Sequence, residues 1–280
     1  MLSLITYLEK SWESRCSQYQ YLMNVLQSIR ANARSNRQSI IEHLEQYYLN
    51  RENGRAKARP AQPVCLFCGA RNNITQEHVL PRWVFESNPN RFFNTTINGL
   101  SHKYDQTTVP ACAACNNDLL SALEKRVLQL LMQHEKTENF FTNEEAADII
   151  RWLELLDYKY QVFSLITRFK IKKGKRPIEF LSDYSLSVLD PNIEYSPAKA
   201  MRNLRQALHR ITVKSKGQML NSLVTFKTKN PDIHFFHKNN DFLFLELPKY
   251  KLALLHFYKR SFTNVIEAKD TAMEIIKQHY

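Results

Sequence analysis

The sequence predicts an α+β protein that is mainly helical, with a central module marked by paired cysteines and a β-containing C-terminal part. Three observations carry this. Only five Gly occur in 280 residues, so long helices are favoured over the turn-rich connections of an all-β chain. Four of five cysteines fall into two CxxC pairs. Short strand-like runs cluster after residue 222.

Residues 1–50 carry no Pro or Gly, and Leu4, Leu8, Trp12, Tyr19, Leu22, Val25, Leu26 and Ile29 approximate helical spacing. The polar run Asn32–Asn36 predicts a break there, giving a helical hairpin with its second arm at Arg37–Leu49. These helices would pack on the rest of the chain or serve an oligomer. A basic linker follows over residues 51–63, RENGRAKARPAQP, whose Gly, Pro and basic residues suit an exposed tether. Residues 64–135 hold the cysteines and close on an amphipathic helix, NDLLSALEKRVLQLLMQHEK, with Asn117 or Asp118 as candidate cap.

Residues 136–280 form an α+β accessory part. A helix is predicted over Asn143–Tyr158, with Arg151 and Trp152 packing on the central module, and another over Pro197–Ile211. Strands are predicted at Leu223–Thr228, His234–His237, Phe242–Leu247 and Leu252–Tyr258, and a last helix at Asn264–His279. Between them lies RFKIKKGKR, in which Arg168, Lys170, Lys172, Lys173, Lys175 and Arg176 are candidate phosphate contacts, or else a solvated hairpin tip.

The net charge of +12 points to a polyanionic partner such as nucleic acid, or simply to a basic surface. No apolar run reaches the roughly 18 residues of a membrane span, and MLSLITYLEKSWESR lacks the features of a signal peptide, so a cytoplasmic, reducing location is expected. There, paired CxxC turns read as a metal site, not as disulfides. Cys65 and Cys68, with Cys112 and Cys115, supply four thiolates for one tetrahedral structural zinc. Cys16 is a helical bystander. The alternative, a redox CxxC, lacks a surrounding thioredoxin-like strand pattern. No GxxxxGK[ST] loop is present, so nucleotide hydrolysis by this chain is not expected.

A plain zinc ribbon separates its knuckles by roughly 15–20 residues. Here the gap runs from Gly69 to Ala111 and contains Glu77-His78-Val-Leu-Pro81, while the second knuckle ends in Asn116-Asn117. This order, over Val64–Arg126, resembles the HNH endonucleases, whose zinc-stapled core is a ββα-metal fold. The resemblance implies a phosphodiester hydrolase acting on DNA, with RNA as the alternative substrate. His78 would be the general base, and Glu77 and Asn116 would hold a catalytic Mg²⁺ or Mn²⁺. The zinc would do no chemistry, because four thiolates leave no open position. Neighbours on a regular strand face opposite ways, so the family's distorted strand end is expected at Glu77-His78, with Pro81 ending the strand. Asn88, Asn90, Asn94 and Asn98 are candidates to orient the imidazole, Asn98 the best placed. Glu124 and His102 are further candidate site residues, or an exposed helical acid and a solvated loop histidine. Stand-alone HNH proteins with such flanks resemble effectors of bacterial anti-phage systems, including Septu-like and retron-associated nucleases, which often work beside an ATPase. The competing reading is a zinc module without catalysis that binds nucleic acid or a protein.

Overall fold

The computed structural model describes residues 2–45, 63–86, 92–95, 100–137, 141–168, 197–212, 221–238 and 241–279. The first element, α1 (Leu2–Leu44), is one continuous helix, which corrects the hairpin expected from the sequence. Its buried stripe of Val25, Leu26, Ile29, Ala33, Ile40, Ile41 and Leu44 keeps helical spacing straight through Asn32–Asn36. The Asn36 amide donates to the Asn32 carbonyl at 2.9 Å, so the polar residues that read as a break bond to their own helix. Arg34 then donates to the carbonyl of Thr212, the last residue of α4 (Pro197–Thr212).

The central module begins with the first knuckle and a short strand, β1 (Ile74–His78). Next come β2 (Phe92–Thr95), β3 (Leu100–Lys103) and β4 (Thr108–Cys112). β1 and β4 pair antiparallel, with Ile74 opposite Cys112 and His78 opposite Thr108. A π-helical segment, Ala114–Leu120, leads without a cap into α2 (Ser121–Thr137), so neither Asn117 nor Asp118 starts the helix.

α3 (Asn143–Arg168) is ten residues longer than its predicted span, which ended at Tyr158. Thr142 and Glu145 close its N-terminus with a reciprocal capping box, 3.3 and 2.9 Å. From Trp152 to Phe163 it is buried on every side, which suits a helix at the centre of the core. Trp152 stacks on Trp83 at 5.6 Å between ring centres, as expected for a helix covering the module.

The C-terminal strands are β5 (Leu223–Lys227), β6 (Ile233–Lys238), β7 (Phe242–Leu247) and β8 (Leu252–Phe257), followed by α5 (Val265–His279). Each agrees with its predicted span to within one residue at either end. Asn264 caps α5 through the Glu267 amide at 2.8 Å. β7 and β8 are buried along their whole length because both sheet faces are covered. Alternate residues separate two cores: Phe235, Leu243, Leu245 and Leu254 pack toward the helices, while Phe236, Phe244, Leu255 and Phe257 pack in a second cluster with Ala268 and Ala272 of α5.

β2 pairs parallel with β6, through Phe93 opposite Ile233 and Asn94 opposite His234. The six-stranded sheet therefore has the order β3-β2-β6-β7-β8-β5 and crosses the boundary expected near residue 135. Beneath it, Asp157 on α3 is fully buried and paired with Arg210 on α4 and with His237 of β6 at 3.2 Å. Among the described residues no helix is long and apolar enough to cross a membrane.

Candidate metal centre and histidine site

The first knuckle turns on Gly69, whose φ of 74° lies in the left-handed region that glycine adopts without strain. That turn lets the Gly69 N–H bond the Cys65 carbonyl at 2.8 Å, and the Cys65 N–H the Ala70 carbonyl at 2.7 Å. A Cβ on Gly69 would meet the Asn36 side chain at 3.4 Å, so α1 lies directly against the knuckle. The second knuckle forms where β4 enters the π-helical segment, and the Cys115 N–H points at the Cys112 sulfur at 3.5 Å.

The sulfurs of Cys65, Cys68, Cys112 and Cys115 all lie within 4.8 Å of one another. Four such ligands fit one structural zinc ion. Sharing with the Cys115 sulfur pulls the Cys65 thiol down to about 5, against its burial. Burial pushes Cys68 up to about 11, and hydrogen bonding to Cys65 together with burial pushes Cys115 up. Cys16 lies on α1.

His78 ends β1 in regular pairing with Thr108, so the distorted strand end expected at Glu77-His78 is not formed. The two side chains accordingly part: Glu77 is buried and His78 is half-buried. The His78 imidazole lies on the ring of Tyr104, centroids 4.2 Å apart and planes 11° from parallel. Tyr104 sits in the turn between β3 and β4 and is backed by Phe85 at 4.7 Å. Burial lowers the His78 pKa from its ordinary 6.5; Lys159 and Arg82 push the same way, against Glu77 and Asp105. Its neutral form is therefore favoured at neutral pH. Arg82, exposed on the turn after Pro81, is close enough for its charge to act on His78.

Behind β1 lies a second cluster. The ammonium of Lys159, from α3, donates to Glu77 Oε1 at 2.6 Å, to the His78 carbonyl at 3.0 Å and to Glu124 Oε1 of α2 at 3.2 Å. The side chains are 2%, 9% and 20% exposed for Lys159, Glu77 and Glu124. Burial works against the ammonium, but Glu77 and Glu124 outweigh it and hold Lys159 above the ordinary lysine value. Burial raises Glu124, against the pull of Lys159. Glu124 was one of the sequence candidates; Lys159 was not. Its one signal is that it is the only cation, beside Glu154 and Asp157, in the otherwise mostly apolar stretch LELLDYKYQVF.

Asn116 sits in the π-helical segment and donates its Nδ2 to Thr75 Oγ1 at 3.0 Å; Thr75 in turn donates to the Ala111 carbonyl at 2.9 Å. The Asn116 amide is thus engaged by Thr75 and the Glu77 carboxylate by Lys159, so in this arrangement the two are held by protein partners and are not set out as a ligand pair for a divalent ion. Asn94 lies in β2 and His102 in β3, while Asn88, Asn90 and Asn98 lie outside the described residues. Arg168 closes α3; Lys170, Lys172, Lys173, Lys175 and Arg176 lie outside the described residues, as does the linker up to residue 62.

Comparison with protein-family models, with curated proteins and with solved structures returns no match.

Proposed function

We propose that this chain is a hydrolase of nucleic-acid phosphodiester bonds of the HNH kind, acting on DNA, with RNA as the alternative substrate. The observation that supports it most is a half-exposed imidazole, kept neutral and held flat on Tyr104, at the end of the strand whose partner runs into the second cysteine pair. In this reading His78 takes a proton from a water molecule. The resulting hydroxide attacks phosphorus, the bond to the leaving sugar oxygen breaks, and that oxygen takes a proton from solvent water. In the same reading the exposed Arg82 meets the charge that builds on the phosphate oxygens. The four-cysteine centre holds the hairpin and does no chemistry. The resemblance also implies a catalytic Mg²⁺ or Mn²⁺, which would stabilise that same charge; no protein ligand set for it is assembled from Glu77 and Asn116, and no step is assigned to it. The net charge of +12 suits the polyanionic substrate.

The test is nicking of supercoiled plasmid, and cleavage of RNA, by zinc-loaded wild type and His78→Ala. The reading expects cleavage by wild type alone, at equal zinc content. Equal cleavage by both proteins removes His78 as the base.

One observation favours the other reading, a module that binds nucleic acid without cutting it: Glu77 is buried and neutralised by Lys159. Salt-sensitive binding with no cleavage product would support it.

A further inference from the structure

The site contains a cation that the proposed chemistry does not use. An ammonium offers three N–H donors and accepts nothing. Those of Lys159 meet three oxygens: one from Glu77, one from Glu124 and the backbone carbonyl of His78. Two carboxylates and a peptide carbonyl are the donor types that a hard divalent ion selects.

Resting on the hydrolase reading above, we infer that Lys159 is the resident cation of this site: its ammonium fills the oxygen cage of Glu77, Glu124 and the His78 carbonyl and keeps Mg²⁺ or Mn²⁺ from using Glu77 as a ligand. The lysine is held there by its helix. Residue 159 is 1% exposed, so its stem is packed along its length. On one side the Tyr158 hydroxyl donates to the Leu66 carbonyl of the first knuckle at 2.8 Å. On the other, Tyr160 packs edge-on against Phe235 at 5.0 Å. The packed stem, on a helix held by the knuckle and the sheet, keeps the ammonium at the cage. A divalent ion would have to displace a tethered charge, not water. The site's positive charge is therefore built into the chain and independent of the ion supply.

The experiment follows Mn²⁺ binding by electron paramagnetic resonance on the zinc-loaded full chain, as wild type, Glu77→Gln, Lys159→Met and the double variant Glu77→Gln/Lys159→Met. Wild type and Glu77→Gln are expected to titrate alike, within about twofold, whereas Lys159→Met gains a site at least about tenfold tighter, lost again in the double variant. Mn²⁺ binding by wild type that Glu77→Gln weakens about tenfold or more overturns the inference; that comparison does not require Lys159→Met to fold. A folded Lys159→Met protein with full zinc and no new Mn²⁺ site overturns it as well. Plasmid nicking on the same wild-type sample separates the two readings: the expected Mn²⁺ pattern without nicking leaves the lysine cage standing and removes the hydrolase.

Discussion

The imidazole of His78 rests on the phenol ring of Tyr104 with their planes 11° apart. Tyr104 also belongs to the main core, where it touches Phe85. The histidine is therefore steered by a ring that is itself buried and packed. Tyr104→Phe keeps that ring and is expected to keep both stability and cleavage rate. Tyr104→Ala removes it, which should cost about 3 kcal/mol of stability and lower cleavage about tenfold or more through loss of orientation. Urea unfolding and initial nicking rates separate the two effects.

The pH dependence of cleavage has a defined sign. Burial lowers the His78 pKa below 6.5, so proton binding disables the base only at more acidic pH. The rate should be level through neutrality and fall on an acid limb centred below 6.5. A limb centred above that value, in a profile of initial rate at limiting substrate, would contradict neutral His78 as the base.

Zinc should be present at one equivalent per chain, since the four sulfurs form a single group. Cys112→Ser or a strong chelator should remove it and release the knuckle from Asn36 of α1. Structural zinc contributes about 10 kcal/mol or more in small zinc peptides, so the module is expected to melt as a unit. Elemental analysis with thermal denaturation checks both points; full thermal stability of a zinc-free protein would count against a structural role.

Asp157 of α3 is fully buried and pairs with the largely buried Arg210 of α4. Burial alone would raise Asp157, but Arg210 and His237 win and hold it below the ordinary carboxylate value of 3.8. Its folded pKa is depressed, so its contribution is present above pH 3.8 and is lost as pH falls below that value. At neutral pH Asp157→Asn should destabilise by about 3 kcal/mol, because it leaves a buried guanidinium without its counter-charge. Chemical denaturation at several pH values would show the gap between wild type and variant closing in acid.

Much of this was legible in the sequence, for local reasons. The cysteine spacing, the apolar runs FLFLEL and LALLHF, and the start of the last helix near Asn264 each depend on residues a few positions apart. The α1 break failed because Asn propensity is a weak prior, and Asn36 satisfies itself on its own helix. The cage around Glu77 was hidden for a different reason. Its partner lies 82 residues away, and nothing local says which carboxylate a lysine inside an apolar run will meet. The same holds for β2, whose neighbour β6 comes from the far end of the chain.

That parallel pairing of β2 with β6 bears on what can be moved or trimmed. The stretch from the first to the second knuckle reads like a portable cassette, one that could be excised, fused or transplanted. Here an excised cassette would lose the strand beside β2, the indole over Trp83 and the ammonium between its acids, all supplied by residues after 140. The unit on which selection or an engineer can act as a whole is the full chain.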